Sequence, residues 1–289
     1  MKTRFIVNPR SGAAAQALPL VQAFAQRHGA SVAITERSRH ASELARHALA
    51  ENCELVVAVG GDGTMNEIAG ELAGTGAVLG LVPCGSGDGL GRHLGIHGPV
   101  ARALEILISG EPHAIDAGMA NGHPFFTVAG LGFEAEISSR FNRLTNRGFR
   151  RYLTTSAGAF REFAPFDCTI EHERGRERLR VFTLAVANSD QYGNNAWIAP
   201  GARVDDGLLD LTVVPPVTAF NALPLLGRLF TRSLQHSAAV TRRRSHRFVV
   251  EDFTPELLLH TDGETHPARS RVEFTIRPRN LRVMVPTKG

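Results

Sequence analysis

The chain has 289 residues, 43% hydrophobic and 21% charged, which allows one large domain or two ordinary ones and excludes a disordered chain. Its net charge of +4 is mild, and the arginine clusters at 147–151 and 242–244 lack an interleaved set of aromatic stacking platforms, so no nucleic acid is expected. Cys53, Cys84 and Cys168 form neither a disulfide framework nor a Cys-x-x-Cys pair, which suits a reducing cytoplasm. The apolar run at the N-terminus is too short for a signal peptide, and no stretch reaches the roughly 18 apolar residues of a membrane span.

In chain order, Arg4 to Val7 reads as a strand ended by Asn8-Pro9-Arg10-Ser11-Gly12. Ala13 to His28 predicts a helix, with Pro19 arguing for a late start or an irregular first turn. Ser31 to Thr35 is a second strand. His40 to Glu51 is a helix, with Leu44, Ala45, Ala48 and Leu49 at helical spacing. Glu54 to Val59 has the composition of a strand buried on both faces. It runs into Gly60-Gly61-Asp62-Gly63-Thr64-Met65-Asn66-Glu67, with a helix expected over Asn66 to Leu72. Strand, glycine turn and helix place bare amides at a helix N-terminus, a phosphate-binding arrangement. The stretch lacks the Gly-Lys-Ser/Thr of a Walker A loop and the third glycine of the dinucleotide fingerprint. Asp62 inside the turn implies a divalent cation between the carboxylate and a polyphosphate, so these residues read as a nucleotide–metal site.

Val78 to Val82 is a further buried strand, followed by a second glycine-rich loop over residues 83–92, and Pro99 to Ser109 is a helix. Strand–helix alternation to about Asp116 predicts a doubly wound parallel sheet, whose loops at the strand carboxyl ends converge on one crevice. Beyond it the texture is β-rich: Phe125 to Ala129, Asp167 to Glu173, Leu179 to Asn188, Leu208 to Val214, Arg247 to Glu251, Glu256 to His260 and Val272 to Arg277. Two helical stretches interrupt, Glu134 to Glu162 and Phe220 to Leu234. The fold class predicted is an α/β nucleotide-binding domain over 1–117, completed by a returning strand within 278–289. A mostly antiparallel β-sandwich follows over 118–277, with a cleft between the two.

Other signals carry less. His93 and His97 lack the acidic partner and helix of a zinc site, and no Gly-x-Ser-x-Gly elbow appears. The segment Phe220 to Leu234 reads as an amphipathic core helix in preference to a lipid-facing one. By itself Asp262-Gly263-Glu264 is an ordinary surface turn.

Six motifs in order alter those weights. Asn8-Pro9-Arg10-Ser11-Gly12, Gly60 to Glu67, Gly85-Ser86-Gly87, Gly130-Leu131-Gly132-Phe133, Asp205 to Asp210 and Asp262-Gly263-Glu264 resemble the diacylglycerol kinase catalytic domain superfamily. That superfamily joins bacterial diacylglycerol and related lipid kinases to sphingosine and ceramide kinases, and the resemblance spans nearly the whole chain. It implies ATP as co-substrate, Mg²⁺ as cofactor and a lipid hydroxyl as acceptor. It places the ATP phosphates on Gly60, Gly61, Asp62, Gly63, Thr64, Met65 and Asn66, with Asn8, Thr35 and Ser86 also touching the nucleotide. Asp62 would act on the γ-phosphate through Mg²⁺. Glu264 would be the general base, and Gly263 would let the turn present both carboxylates outward. Arg203, Asp206 and Leu208 would form a separate structural metal site from one carboxylate and two backbone carbonyls.

Two residues depart from the family pattern: Asp88 stands where Asn is usual, and Glu134 where Asp is common. The expected partners are ATP, a lipid and the inner membrane surface, in the cytoplasm, and a homodimer is an allowed assembly. The rivals are an NAD kinase-like enzyme, which shares Gly-Gly-Asp-Gly and a downstream Asn-Glu, and a non-catalytic lipid or nucleotide sensor.

Overall fold

The structure, a computed structural model, describes residues 1–142, 158–253 and 256–287. Contacts divide the chain into two units, Met1–Ala117 with Pro278–Gly289, and Gly118–Arg277.

The first unit contains β1 (Thr3–Val7), α1 (Ala14–Arg27), β2 (Ser31–Ile34), α2 (His40–Ala50), β3 (Leu55–Gly60), α3 (Asp62–Leu72), β4 (Val78–Pro83), α4 (Gly89–His93) and α5 (Val100–Ser109). Its strands pair in parallel in the order β2-β1-β3-β4, and residues 282–283 add a last parallel strand beside β4. Every residue of β3 is buried, as its unbroken apolar run requires at the centre of such a sheet. Helix α1 packs with α5, and α2 packs with α3. Strand order reverses between β1 and β3. Right-handed crossovers therefore send α1 and α2 to opposite faces and open a crevice beyond the carboxyl ends of those two strands.

Two expectations need correction here. Helix α1 starts at Ala14 despite Pro19, with Ala17 N–H already donating to the Ala13 carbonyl at 3.0 Å. Pro19 and Ala15 are both exposed, so the carbonyl that the proline leaves without a helical donor lies on the solvent side of the helix. Helix α3 starts at Asp62 rather than Asn66, so Asp62 and Gly63 belong to its first turn and Gly61 is its N-cap.

The second unit begins within β5 (Glu111–Ala120). It continues through β6 (His123–Phe125), β7 (Val128–Gly132), α6 (Phe133–Asn142), β8 (Phe166–His172), β9 (Gly175–Val181), β10 (Thr183–Ala187), β11 (Leu209–Val214) and α7 (Ala219–Phe230). β12 (Thr241–Ser245), β13 (Arg247–Glu251), β14 (Leu258–Thr261), β15 (Glu264–Pro267) and β16 (Arg271–Val285) complete it. One sheet runs β12-β11-β10-β7-β14-β15, antiparallel throughout. The other runs from the first half of β16 through β13 and β8 to β9. Between them lie Leu131, Leu184, Val186, Leu211, Ile170, Phe248, Val250 and Phe274. The alternate residues Val128, Ala185 and Ala187 point outward and join Ile198, Ala199 and Leu234, with Leu225 and Leu229 of α7 packed on them. Period-two alternation makes both faces of this sheet apolar.

Several sequence boundaries differ. Phe125 to Ala129 is two strands, because the Phe126 and Thr127 amides turn to the Asp262 carboxylate instead of a ladder. Leu179 to Asn188 is also two strands, broken at Phe182. The charged strands β12 and β15, and the start of β9, have no apolar pattern and were not foreseen. Val272 to Arg277 and Leu281 to Val285 are one strand, β16. The predicted helix over Glu134 to Glu162 is α6 up to Asn142; residues 143–157, with the 147–151 arginine cluster, lie outside the described residues.

Candidate functional site

In the first unit three loops meet at the carboxyl edge of the sheet. Asn8 follows β1, donates its amide to the Val59 carbonyl at 2.9 Å and gives its side-chain N–H to Thr64 Oγ1 at 3.0 Å. Ser11 Oγ accepts the Gly61 N–H at 2.8 Å. Cys84 N–H donates to the Gly60 carbonyl at 2.7 Å, and the Cys84 carbonyl accepts Ala13 N–H at 2.9 Å. Glycine is required by close approach: a Cβ on Gly85 would lie 2.8 Å from the Gly61 Cα, and one on Gly87 would lie 2.6 Å from Asp62 Oδ2.

Gly63 is different. A Cβ there would meet nothing within 4 Å, so this glycine clears space rather than fitting into it. The first intrahelical bond of α3 runs from Met65 N–H to the Gly61 carbonyl at 3.1 Å, so the Gly63 and Thr64 amides precede it and have no acceptor within the helix. Two such amides, the positive end of the helix dipole and open space fit an anionic phosphate group.

Asp62 does not face that space. Its Oδ2 accepts the Asp88 N–H at 3.0 Å and its Oδ1 accepts the Gly89 N–H at 2.9 Å, capping α4. Burial pushes its carboxyl up, and those amides pull it back. Its observed role is to tie the two glycine loops together.

Of the other predicted nucleotide residues, Asn8, Gly60, Gly61, Gly63 and Thr64 share this edge, and buried Thr35 adjoins them through its N–H to the Val7 carbonyl at 2.9 Å. Ser86 is exposed at the second loop. Asn66 is half-buried, its Oδ1 without a partner among the described residues. Met65 has its side chain buried and its amide spent on the Gly61 carbonyl. Ser11 lay outside the predicted set, although it stands within a motif that the sequence displays. Glu67 accepts the Ala41 N–H at 3.1 Å and so caps α2, which has no side-chain cap of its own.

Asp88 sits in the left-handed region at φ 52°, where Asn and Asp are the usual non-glycine residues. Its carboxyl is pushed up to about 7, first by burial and then by the neighbouring Asp62 charge. The folded form therefore holds this proton more tightly than the unfolded chain, whose carboxyl titrates near 3.9. The associated stability is present below about pH 4, declines as pH rises and is lost above about 7. Asp88→Asn removes the decline: relative to wild type, the variant gains about 1–3 kcal/mol between pH 5 and pH 8. Urea unfolding at the two pH values checks this, and a pH-independent difference contradicts it.

In the second unit, Asp262 (φ 49°) and Gly263 (φ 86°) are the central pair of the β14–β15 hairpin, flanked by paired Thr261 and Glu264. Two positive φ angles define a type I′ turn, which Asp-Gly favours. The expectation that both carboxylates point outward fails for Asp262. Its buried carboxylate accepts Phe126 N–H at 2.7 Å, Thr127 N–H at 2.9 Å, Val128 N–H at 3.0 Å and the Thr127 hydroxyl. Burial pushes this carboxyl up and the four donors oppose it. Glu264 is exposed.

Behind the turn, His260 Nε2 lies 3.0 Å from Glu134 Oε1, and His260 Nδ1 accepts Gly263 N–H at 3.4 Å. Both side chains are buried, and Glu134 Oε2 has no partner among the described residues. Sequence reasoning noted Glu134 only as a departure and missed His260, because no local spacing links them.

Of the predicted metal set, the Asp206 carboxylate is engaged by a backbone amide and a guanidinium. Asp206 Oδ1 accepts the Leu208 N–H at 3.1 Å, and its Oδ2 pairs with the Arg244 guanidinium. Arg203 Nε donates to Asp205 Oδ1 at 3.1 Å. Among the described residues no group of three or more His, Cys, Asp or Glu could hold a metal ion. In this structure the Arg244 guanidinium neutralises the Asp206 carboxylate. The nearby groove of about 690 Å³ is lined by Arg174, Arg176, Arg242, Arg243 and Arg244. Arg243 is paired with Glu177, and Arg242 and Arg244 with Asp210, so the groove is an ion-pair network.

Comparison with known proteins covers both units. Residues 2–120 match the diacylglycerol kinase catalytic domain family, and residues 127–285 match the YegS C-terminal NAD kinase beta sandwich-like domain. A Pseudomonas aeruginosa protein named "Probable lipid kinase YegS-like" is 30% identical over 260 residues, covering 89% of this chain and 84% of its own length. A Mycobacterium tuberculosis protein named "Diacylglycerol kinase" is 29% identical over a 301-residue alignment, covering 100% of this chain and 96% of its own. A crystal structure of a diacylglycerol kinase from Bacillus anthracis superposes with a TM-score of 0.76 at 19% identity, over 99% of this chain and 97% of that one. At that identity the superposition speaks for the fold.

Proposed function

The chain belongs to the diacylglycerol kinase catalytic domain family, and on that premise we propose that it transfers the γ-phosphate of MgATP to a lipid hydroxyl. The observation that carries this reading is the amino terminus of α3, where Gly63 leaves open space in front of two amides free of intrahelical bonds. The phosphates of ATP rest there, and the metal arrives with the nucleotide as part of the substrate. Asp62 acts indirectly, by holding the second loop against the first. Glu264 takes the proton of the acceptor hydroxyl as its oxygen bonds to the γ-phosphorus, and the bond from that phosphorus to the bridging oxygen breaks to release ADP. Phosphoryl transfer asks the protein mainly for alignment and charge neutralisation, which backbone amides supply.

The β-sandwich match to an NAD kinase-like domain favours one second reading, phosphorylation of NAD. Purified protein incubated with radiolabelled ATP and Mg²⁺, against extracted lipids and NAD in parallel, separates the two. Label in the lipid fraction supports the proposal; label only in NAD overturns it.

A further inference from the structure

Helix α7 is apolar on both sides. Leu225 and Leu229 pack on the outer face of the six-stranded sheet, with Leu234 buried just beyond. The opposite side carries Phe220, 94% exposed, Leu223, 75%, Leu226, 45%, and Phe230, 38%. At helical spacing, Phe220, Leu223, Pro224, Gly227 and Phe230 form one continuous strip with no polar side chain in it. The remaining large exposed hydrophobics among the described residues, Met1, Leu20, Ile34 and Ile108, are dispersed over the first unit. Scattered single residues need no explanation, but a strip of aromatic and leucine side chains does. The sequence expectation of a plain core helix accounts for one side only.

We propose that α7 is a membrane-docking helix, which lies in the plane of an anionic phospholipid surface with Phe220, Leu223 and Phe230 among the lipid chains. Charge favours that occupant. From Leu211 to Val250 the chain has no Asp or Glu, while Arg228 lies beside the end of the strip and Arg232 just beyond it. Arg232 keeps 57% of its side chain exposed although it contacts Asp190 at 3.2 Å, and Arg228 spends one N–H on the Ser233 carbonyl at 3.3 Å. Each therefore retains donors for phosphate head groups. A 12-residue helix is too short to span a bilayer, and none among the described residues is long and apolar enough to cross one. An apolar strip flanked by arginines on such a helix is the pattern of in-plane binding. The inference goes beyond the transfer reaction and concerns where the protein sits, whichever acceptor it uses.

The full chain, without nucleotide, is sedimented with vesicles of phosphatidylcholine alone and of phosphatidylcholine mixed with phosphatidylglycerol. Binding to the mixed vesicles, weakened by salt, is expected. The double variant Phe220→Ser, Leu223→Ser should bind them at least about tenfold more weakly, with an unchanged unfolding temperature because both side chains are exposed. No binding to the mixed vesicles, or equal binding by the double variant, overturns the proposal. So does a wild-type dimer that the double variant dissociates, since a second copy would then cover the strip. Transfer to a lipid dispersed in detergent micelles, measured on the same variant, separates this outcome from a failure of the kinase reading: docking loss leaves that rate intact.

Discussion

Glu264→Gln lowers kcat by about 10²- to 10⁴-fold, the range expected on removing a general base, while MgATP affinity stays within about twofold. The variant keeps the size and the hydrogen-bonding capacity of the side chain but cannot take a proton at neutral pH. Glu264 is exposed at the first position of β15, directly after a two-residue turn that fixes the backbone on both sides of it. The Gln side chain keeps that backbone pairing, and the α3 phosphate site is built from residues of the first unit alone. Steady-state kinetics with calorimetric MgATP titration checks both halves. A near-normal kcat removes Glu264 from the chemistry, and a parallel loss of nucleotide binding assigns it a structural role.

Asp262→Ala lowers stability by about 3–5 kcal/mol, because three backbone amides and a hydroxyl lose their common acceptor in a buried position. The carboxylate gathers the amides of Phe126, Thr127 and Val128 where β6 ends and β7 begins, and Asp262 N–H returns a bond to the Val128 carbonyl at 3.0 Å. The four contacts thus close one strand break against another strand's turn. Asp262→Asn falls between, since its amide oxygen accepts some of these bonds while its NH₂ group faces donors. Urea unfolding monitored for all three proteins tests the order. A loss below about 1 kcal/mol for Asp262→Ala would mean that water replaces the carboxylate at little cost.

The alternation of strand and helix, the unbroken apolar β3 and the two glycine loops were legible in the sequence, since each rests on local composition and periodicity. The outward or inward turn of a carboxylate was not. Asp62 and Asp262 both stand in Asp-Gly steps, yet both are consumed by amides that lie 26 or more residues away in the chain. Such partners are set by which strands neighbour each other, and no spacing encodes that. Strand β12 escaped notice because Arg242, Arg243 and Arg244 mask any apolar alternation; the arginines are tolerated there because acidic side chains from β9 and β11 meet them. Met65 lies in the phosphate motif by sequence but in the core by geometry, as the helix begins four residues earlier than its polarity suggests. For α7, periodicity identified the helix and left its second apolar side unassigned, because a core-facing and an outward-facing leucine look alike in a sequence.

The phosphate site itself is tested most directly by titrating MgATP, without any acceptor lipid, into wild type and Gly63→Val. The new side chain enters open space, and position 63 has no positive φ, so the fold tolerates it. The expected result is an MgATP Kd raised at least about tenfold, as the side chain displaces a phosphate from the helix terminus, with no fall in unfolding temperature. An unchanged Kd would place the nucleotide elsewhere and contradict the account.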